Sequence, residues 1–457
     1  NNGTIKLQGN QTITGSVVNG NDCFVEYYGN NFSSFTWGTN YRNLKLAENI
    51  SGDFSSVQLN VQGDLIIAND ASINLKGTFA GNIVLGDNGI NAGTVTLTSS
   101  AAMKVSGNCS DLYINGTLSA NNTLSSSGGI SVSGDVTASG AITASGDISF
   151  DGNATVNEVT SQNGAISVSG TASLNADVTS DGIQTYSGAV TLLGDVTLVA
   201  SEVTFASTVN SQVGNNYSLT IGNDIVFTKA NFNGNVGNLV PLGNILIFSA
   251  AFAENASLIQ TETSSFTIRE NSSVQFGKGK ITVGSMFVET GSEFVQTGIN
   301  TEEQLFNSIE NNGTVNFDAT NIGGTLSLKG NISNANSVAF NKKNVSIKSN
   351  LVVSGIFYDL EIPQNISVTN GSEICVVVTP LKSFLAFSAA SFRRCIAILS
   401  LLKSKPFSIM ISSKIHFEIA LSQSSPPRFE SPEVEITSNV PSPISKIETS
   451  NVPPPKS

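Results

Sequence analysis

The sequence predicts an all-β protein built as a β-solenoid, most simply a parallel β-helix, and three observations carry that prediction. Between residues 116 and 199 a Gly opens nearly every sixth position, and a Ser or Thr always stands three residues later. The residues flanking that Ser or Thr on both sides are mostly apolar. Composition agrees: Asn, Ser and Thr supply 153 of 457 residues and Gly another 42. All four weaken helix interiors and favour strands or turns. With 39% apolar residues the chain is too hydrophobic for wholesale disorder.

The repeat block is decisive, because a fixed internal period sets the architecture before any local propensity does. Residues 116–199 divide into fourteen hexads without an insertion, with Gly at position one in eleven of them; Asn122, Glu158 and Ala176 are the exceptions. Position four is Ser or Thr in all fourteen. Positions three and five hold pairs such as Ile130 with Val132, Ile148 with Phe150, Ile166 with Val168 and Val190 with Leu192. That is the period of a strand with one buried face.

Six residues hold a short strand and a corner, where Gly is expected to supply backbone conformations that a Cβ forbids. Two buried side chains cannot stabilise such a unit alone. Stability must come from pairing with the equivalent strand one coil above and below, about 4.8 Å away. The Ser and Thr of position four are then expected to face outward in hydroxyl ladders. A coil of roughly 18 to 24 residues makes residues 1–371 about 15 to 20 coils, on the order of 70 to 100 Å in length.

Outside the block the alternation persists at looser spacing, as in SVQLNVQGDLIIAND, GTVTLTS, GKGKITVGSMFVE and GTLSLKGNIS. A small motif recurs at Asn43–Leu46, Asp111–Ile114 and Asp359–Ile362, each read as one strand of a similar coil. Residues 301–311, TEEQLFNSIEN, read instead as a short helical insertion. Thr301 with Gln304 fits a capping box, and Leu305 and Ile309 stand one helical turn apart.

Composition breaks near residue 372. No Gly occurs after Gly371, ten of the twelve prolines do, and the net charge changes from −15 over residues 1–371 to +3 over 372–457. This tail is expected to hold a helix over 381–403 and then a Ser/Pro-rich, poorly ordered segment. It reads either as a linker or as out-of-frame translation. Arg393 and Arg394 interrupt its most apolar run, Leu381 to Leu402, below membrane-spanning length. The opening NNGTIKL has no basic-then-apolar leader, so any export signal is expected to have been removed or to lie elsewhere.

Residues 183–242 resemble the repeats of filamentous-haemagglutinin-like and autotransporter-type adhesins of Gram-negative bacteria. The resemblance lies in QTYSGAVTL (184–192), VTF (203–205), TVN (208–210), SLTI (218–221) and FNGNVG (232–237). It implies a right-handed parallel β-helix, exported and displayed at the cell surface or released extracellularly. It also implies an outer-membrane secretion partner or a translocator domain; the family's N-terminal secretion domain and C-terminal barrel translocator are not visible among these residues. FDGN (150–153) and NGAI (163–166) also resemble the short motifs of chlamydial-type polymorphic membrane proteins.

Chemistry is sparse. The formal charge of −12 argues against nucleic acid, whose phosphates need clustered Lys and Arg. Cys23, Cys109, Cys375 and Cys395 are far apart with no CxxC, which points to unpaired buried thiols rather than zinc or disulfides. The single histidine, His416, stands in the tail, and no acidic cluster breaks the repeat. No catalytic residue, cofactor or metal ligand is therefore assigned.

Asp135, Asp147, Asp177, Asp181 and Asp195 fall at or beside corners. Without the GGxGxD spacing of a calcium ladder they read better as solvated carboxylates. The candidate ligand surface is aromatic. Between Cys23 and Tyr41 the residues Tyr27, Tyr28, Trp37 and Tyr41, with three Phe, either stack on a partner or fill a wide coil. The functional expectation is an adhesin-like structural stalk that attaches to glycans or proteins on host or neighbouring cells. A β-helix glycan hydrolase or lyase is the alternative.

Overall fold

The computed structural model describes residues 3–8, 11, 23–29, 32–86, 91–296 and 304–317, and seven strand segments: 326–328, 332–334, 337–340, 344–347, 351–355, 365–368 and 374–378. The chain divides into two compact units, Asn1–Arg393 and Arg394–Ser457. The second unit and the helix expected over 381–403 lie outside the described residues, as does the 359–362 motif; of the tail expected from residue 372 only the strand Ile374–Val378 is described, and it continues the parallel ladder by pairing with Leu351–Gly355. Every described element is a strand, all pairings are parallel, and the strands stack into a β-solenoid of about 15 turns.

In the hexad block the coil closes after three strands. Leu118–Ala120 pairs with Val136–Ala138, Leu124–Ser126 with Ile142–Ala144, and Ile130–Val132 with Ile148–Phe150, each partner standing 18 residues on. A coil therefore has three faces, called here first, second and third in chain order. Positions three and five point inward and are buried, while position four is on the outside. Hydroxyl-to-hydroxyl contact occurs along the outside, as between Ser167 Oγ and Ser149 Oγ at 3.2 Å.

Two details depart from the sequence reading. In the hexad EVTSQN the strand is Val159–Ser161, one position early, so Thr160 faces outward and Ser161 is buried. The buried hydroxyl of Ser161 is satisfied by donating to Gly146 O at 2.8 Å and accepting from Gly164 N at 3.0 Å. The second departure concerns glycine. Of the position-one glycines only Gly116 has a positive φ. What excludes a side chain at the others is the neighbouring coil. A Cβ on Gly152 would lie 2.5 Å from the Gly134 carbonyl, one on Gly170 2.5 Å from the Gly152 oxygen, and one on Gly188 2.3 Å from the Gly170 oxygen. At these glycines the corners stack backbone on backbone, and only hydrogen fits between them.

The helix expected over 301–311 is not formed: Gln304–Asn311 is a strand paired with Ile281–Val288, and residues 301–303 lie outside the described residues. Of the pair that suggested a helix, Leu305 and Ile309, only Ile309 is buried; its inward partner is Phe306, and Leu305 is half-buried. Both strands run across a corner, where Val283 and Met286 on one, and Phe306 and Ile309 on the other, are buried three residues apart. Bending the strand between those residues turns both inward, and pairing with the coil beneath outweighs the local capping signal.

After residue 186 the core of the third face becomes aromatic. Tyr186, Phe205, Phe232, Phe252 and Phe276 occupy one column, with ring centroids 5.5, 5.0, 4.6 and 4.5 Å apart. The first three gaps are near-parallel stacks, 9° to 15° between planes. The next position in register is Gln296, fully buried, with neither amide atom hydrogen-bonded.

Candidate binding surface

The aromatic segment near the N-terminal side does not present the surface expected of it. Tyr27 and Tyr41 are buried, at 0% and 2% exposure, and pack with Phe32, Phe35 and Phe54 at centroid distances of 4.8 to 6.3 Å. Their hydroxyls form a chain: Trp37 N donates to Tyr27 Oη at 2.9 Å, Tyr27 and Tyr41 share a 3.0 Å bond, and Tyr41 donates to Gly38 O at 2.6 Å. Burial holds the Tyr41 phenol well above its ordinary range, with the bond to Tyr27 adding to the effect. Trp37 is half-buried against the same core. These rings are core because a wide coil must be filled. Tyr28, which points away from Tyr27 along the alternation, is the one that reaches solvent.

The corner aspartates have a structural task. Asp135 Oδ1 accepts from Asn153 N at 2.8 Å, Asp147 Oδ1 from Ala165 N at 2.8 Å, Asp177 Oδ1 from Thr197 N at 2.7 Å and Asp195 Oδ1 from Ser218 N at 2.7 Å. Each side chain accepts from a backbone amide of the next coil, at a corner for Asn153, Ala165 and Ser218 and inside the strand Val196–Val199 for Thr197. Asn43 and Asp111, the first residues of the recurrent motif, do the same for Asp64 N and Gly129 N. Asp181 is exposed. Among the described residues no group of three or more His, Cys, Asp or Glu side chains is placed to hold a metal ion.

Cys23 and Cys109 are buried and free. Burial pushes the Cys109 thiol up to about 12, only partly offset by a bond to Ser126, so it is a packing group rather than a nucleophile.

A feature that sequence reasoning missed lies between the strands Leu219–Ile221, on the second face, and Lys229–Phe232, on the third. This corner swells to residues 222–228 and is stapled to the coils on both sides. Toward the preceding coil, Thr228 Oγ1 donates to Ala200 O at 2.8 Å and accepts from Ala200 N at 3.2 Å. Within the loop, Asn223 Oδ1 accepts from Ile225 N and Val226 N at 2.9 and 2.7 Å. Toward the following coils, Phe227 meets Phe248 edge-on at 5.2 Å. Arg269 bridges Asp224 at 2.5 Å and Glu289 at 3.2 Å.

The loop holds Ile225 and Phe227 in solvent, 87% and 65% exposed. Across the second face, the corners at 212–218 and 233–244 expose Val213 and Leu239. The signal was present as Ile225-Val226-Phe227, three consecutive apolar residues where the period calls for a polar corner. Alternation cannot bury three neighbours on one side.

Comparison with known proteins gives no match among family models, curated proteins or solved structures.

Proposed function

We propose that this chain is the repeat stalk of a secreted or surface-displayed adhesin, of the filamentous-haemagglutinin-like or autotransporter type, acting without catalysis. The reading is supported chiefly by the stapled loop at 222–228. Large apolar side chains that a stapled loop leaves in water contribute little buried area to the fold, yet they form the kind of desolvatable anchor that binding surfaces use. The corner carboxylates, the groups an acid–base mechanism would draw on, are occupied in joining coils. Attachment would be multivalent, each stalk adding weak contacts that sum through proximity. Export would require a secretion partner or translocator outside these residues.

The test is attachment of cells to the immobilised full chain, compared with an Ile225→Asp/Phe227→Ser double variant. A several-fold loss of attached cells with unchanged circular dichroism is expected. Equal attachment by both proteins would remove the loop from the reading. New reducing ends after incubation with bacterial or host polysaccharides would replace it with a glycan-active enzyme.

A further inference from the structure

A second surface feature lies far along the chain from that loop, at the corner following the strands Phe24–Tyr27, Asn43–Leu46 and Leu65–Ile67. These strands lie in register, Tyr27 beside Leu46 and Leu46 beside Ile67, so the residues that follow them, Tyr28, Ala47 and Ala68, stand one above another. A ring on one coil above methyl groups on the next two leaves a hollow of about 310 Å³, open to water. Tyr28, 36% exposed, forms its upper side. On the strand side are Glu26 and Lys45, which are partners in register. On the turn side are Glu48 and Asn49, both exposed, with Asn49 held in the left-handed region at φ 63°.

The chemistry of this lining narrows what it takes. The lining carries two carboxylates, Glu26 and Glu48, and one ammonium, Lys45; Lys6 Nζ, outside the lining, stands 3.1 Å from Glu26 Oε2 and offsets its charge, so nothing here draws an anion. The hollow offers an aromatic face beside carboxylate acceptors and ammonium and amide donors. A ligand matching that set has an apolar C–H face and a rim of hydroxyls. The volume stands at the low end of ligand clefts, the size of one or two sugar rings.

We propose that the hollow is a subsite for a neutral sugar unit, its C–H face against the Tyr28 ring and its hydroxyls toward Glu48, Asn49 and Lys45. The proposal names a ligand class for attachment and rests on the adhesin reading.

Saturation-transfer NMR on the full chain tests it, with maltotriose and triacetylchitotriose as neutral probes and 3′-sialyllactose as an anionic one. Transfer to the ring C–H protons of at least one neutral probe is expected, reduced about tenfold in Tyr28→Ala and retained in Tyr28→Phe, which keeps the ring. No transfer to either neutral probe overturns the proposal, as does equal transfer in Tyr28→Ala. Stronger transfer to sialyllactose than to the neutral probes overturns the assignment of a neutral ligand. Sugar transfer that persists while cells fail to attach would instead count against the adhesin reading, so the two failures are separable.

Discussion

The hexad block at 116–199 and the coils that follow it, to residue 296, are the same architecture under different constraints. In the block the coil is 18 residues long, corners stack backbone on backbone, and the third-face column mixes aliphatic and aromatic residues, Val132, Phe150, Val168 and Tyr186. Beyond it, spacing along that column reaches 27 residues between Phe205 and Phe232 and 24 between Phe252 and Phe276, and the column is aromatic from Phe205 to Phe276, ahead of Gln296. A longer coil must still fill its interior to crystal-like density, here with rings. It also leaves residues over at the corners, and these become the loops that carry Val213, Ile225, Phe227 and Leu239. Strict periodicity stabilises a stalk and leaves no room for a site. Relaxed periodicity makes room and compensates with larger core side chains.

That contrast can be broken at specific residues. The largest effect is expected from Phe232→Ala, which removes the middle ring of the aromatic column and should cost about 3 to 5 kcal/mol, read as a lower midpoint in denaturant. A loss under about 1 kcal/mol would mean the rings are not what fills the wide coils. Next is Gly152→Ala, where the added methyl meets the Gly134 backbone. Strain of about 1 to 3 kcal/mol is expected there, and indifference to the methyl would show that the corners have slack.

Gln296→Leu should act in the opposite direction, raising stability by about 1 to 2 kcal/mol by removing a buried amide that has no partner. Thermal melting of the two proteins decides it. The smallest effect is nil at neutral pH. Cys109 has its thiol raised by burial from 9.0 to about 12, and the Tyr41 and Tyr186 phenols are also raised by burial. The unfolded chain therefore releases these protons first. Their contribution to stability is complete below pH 9 and is lost as pH climbs toward 12 and beyond. Denaturation midpoints that stay flat from pH 8 to 11.5 would contradict their burial.

The fold was legible because a solenoid writes its period into every coil. Hexad positions three and five reported the core, and the outward Ser/Thr column followed from alternation. The aromatic segment was legible only as a pair of options, since a ring at Tyr27 and one at Tyr28 look alike until the alternation is anchored. Burial of one and exposure of the other then follow from a single residue of phase. The stapled loop was harder to see. Arg269 meets Asp224 across 45 residues, a separation that no local pattern encodes.

By itself, then, the order of residues determined that strands would be short, parallel and stacked, because a six-residue period with two inward side chains has no other way to bury them. Tertiary structure alone decided three things: that the glycines serve inter-coil contact rather than unusual φ, that residues 304–311 join the ladder instead of coiling, and that the corner aspartates tie one coil to the next. Each depends on which residues lie directly above and below, and that neighbour is 15 to 27 positions away in the chain, set by the accumulated length of every corner between.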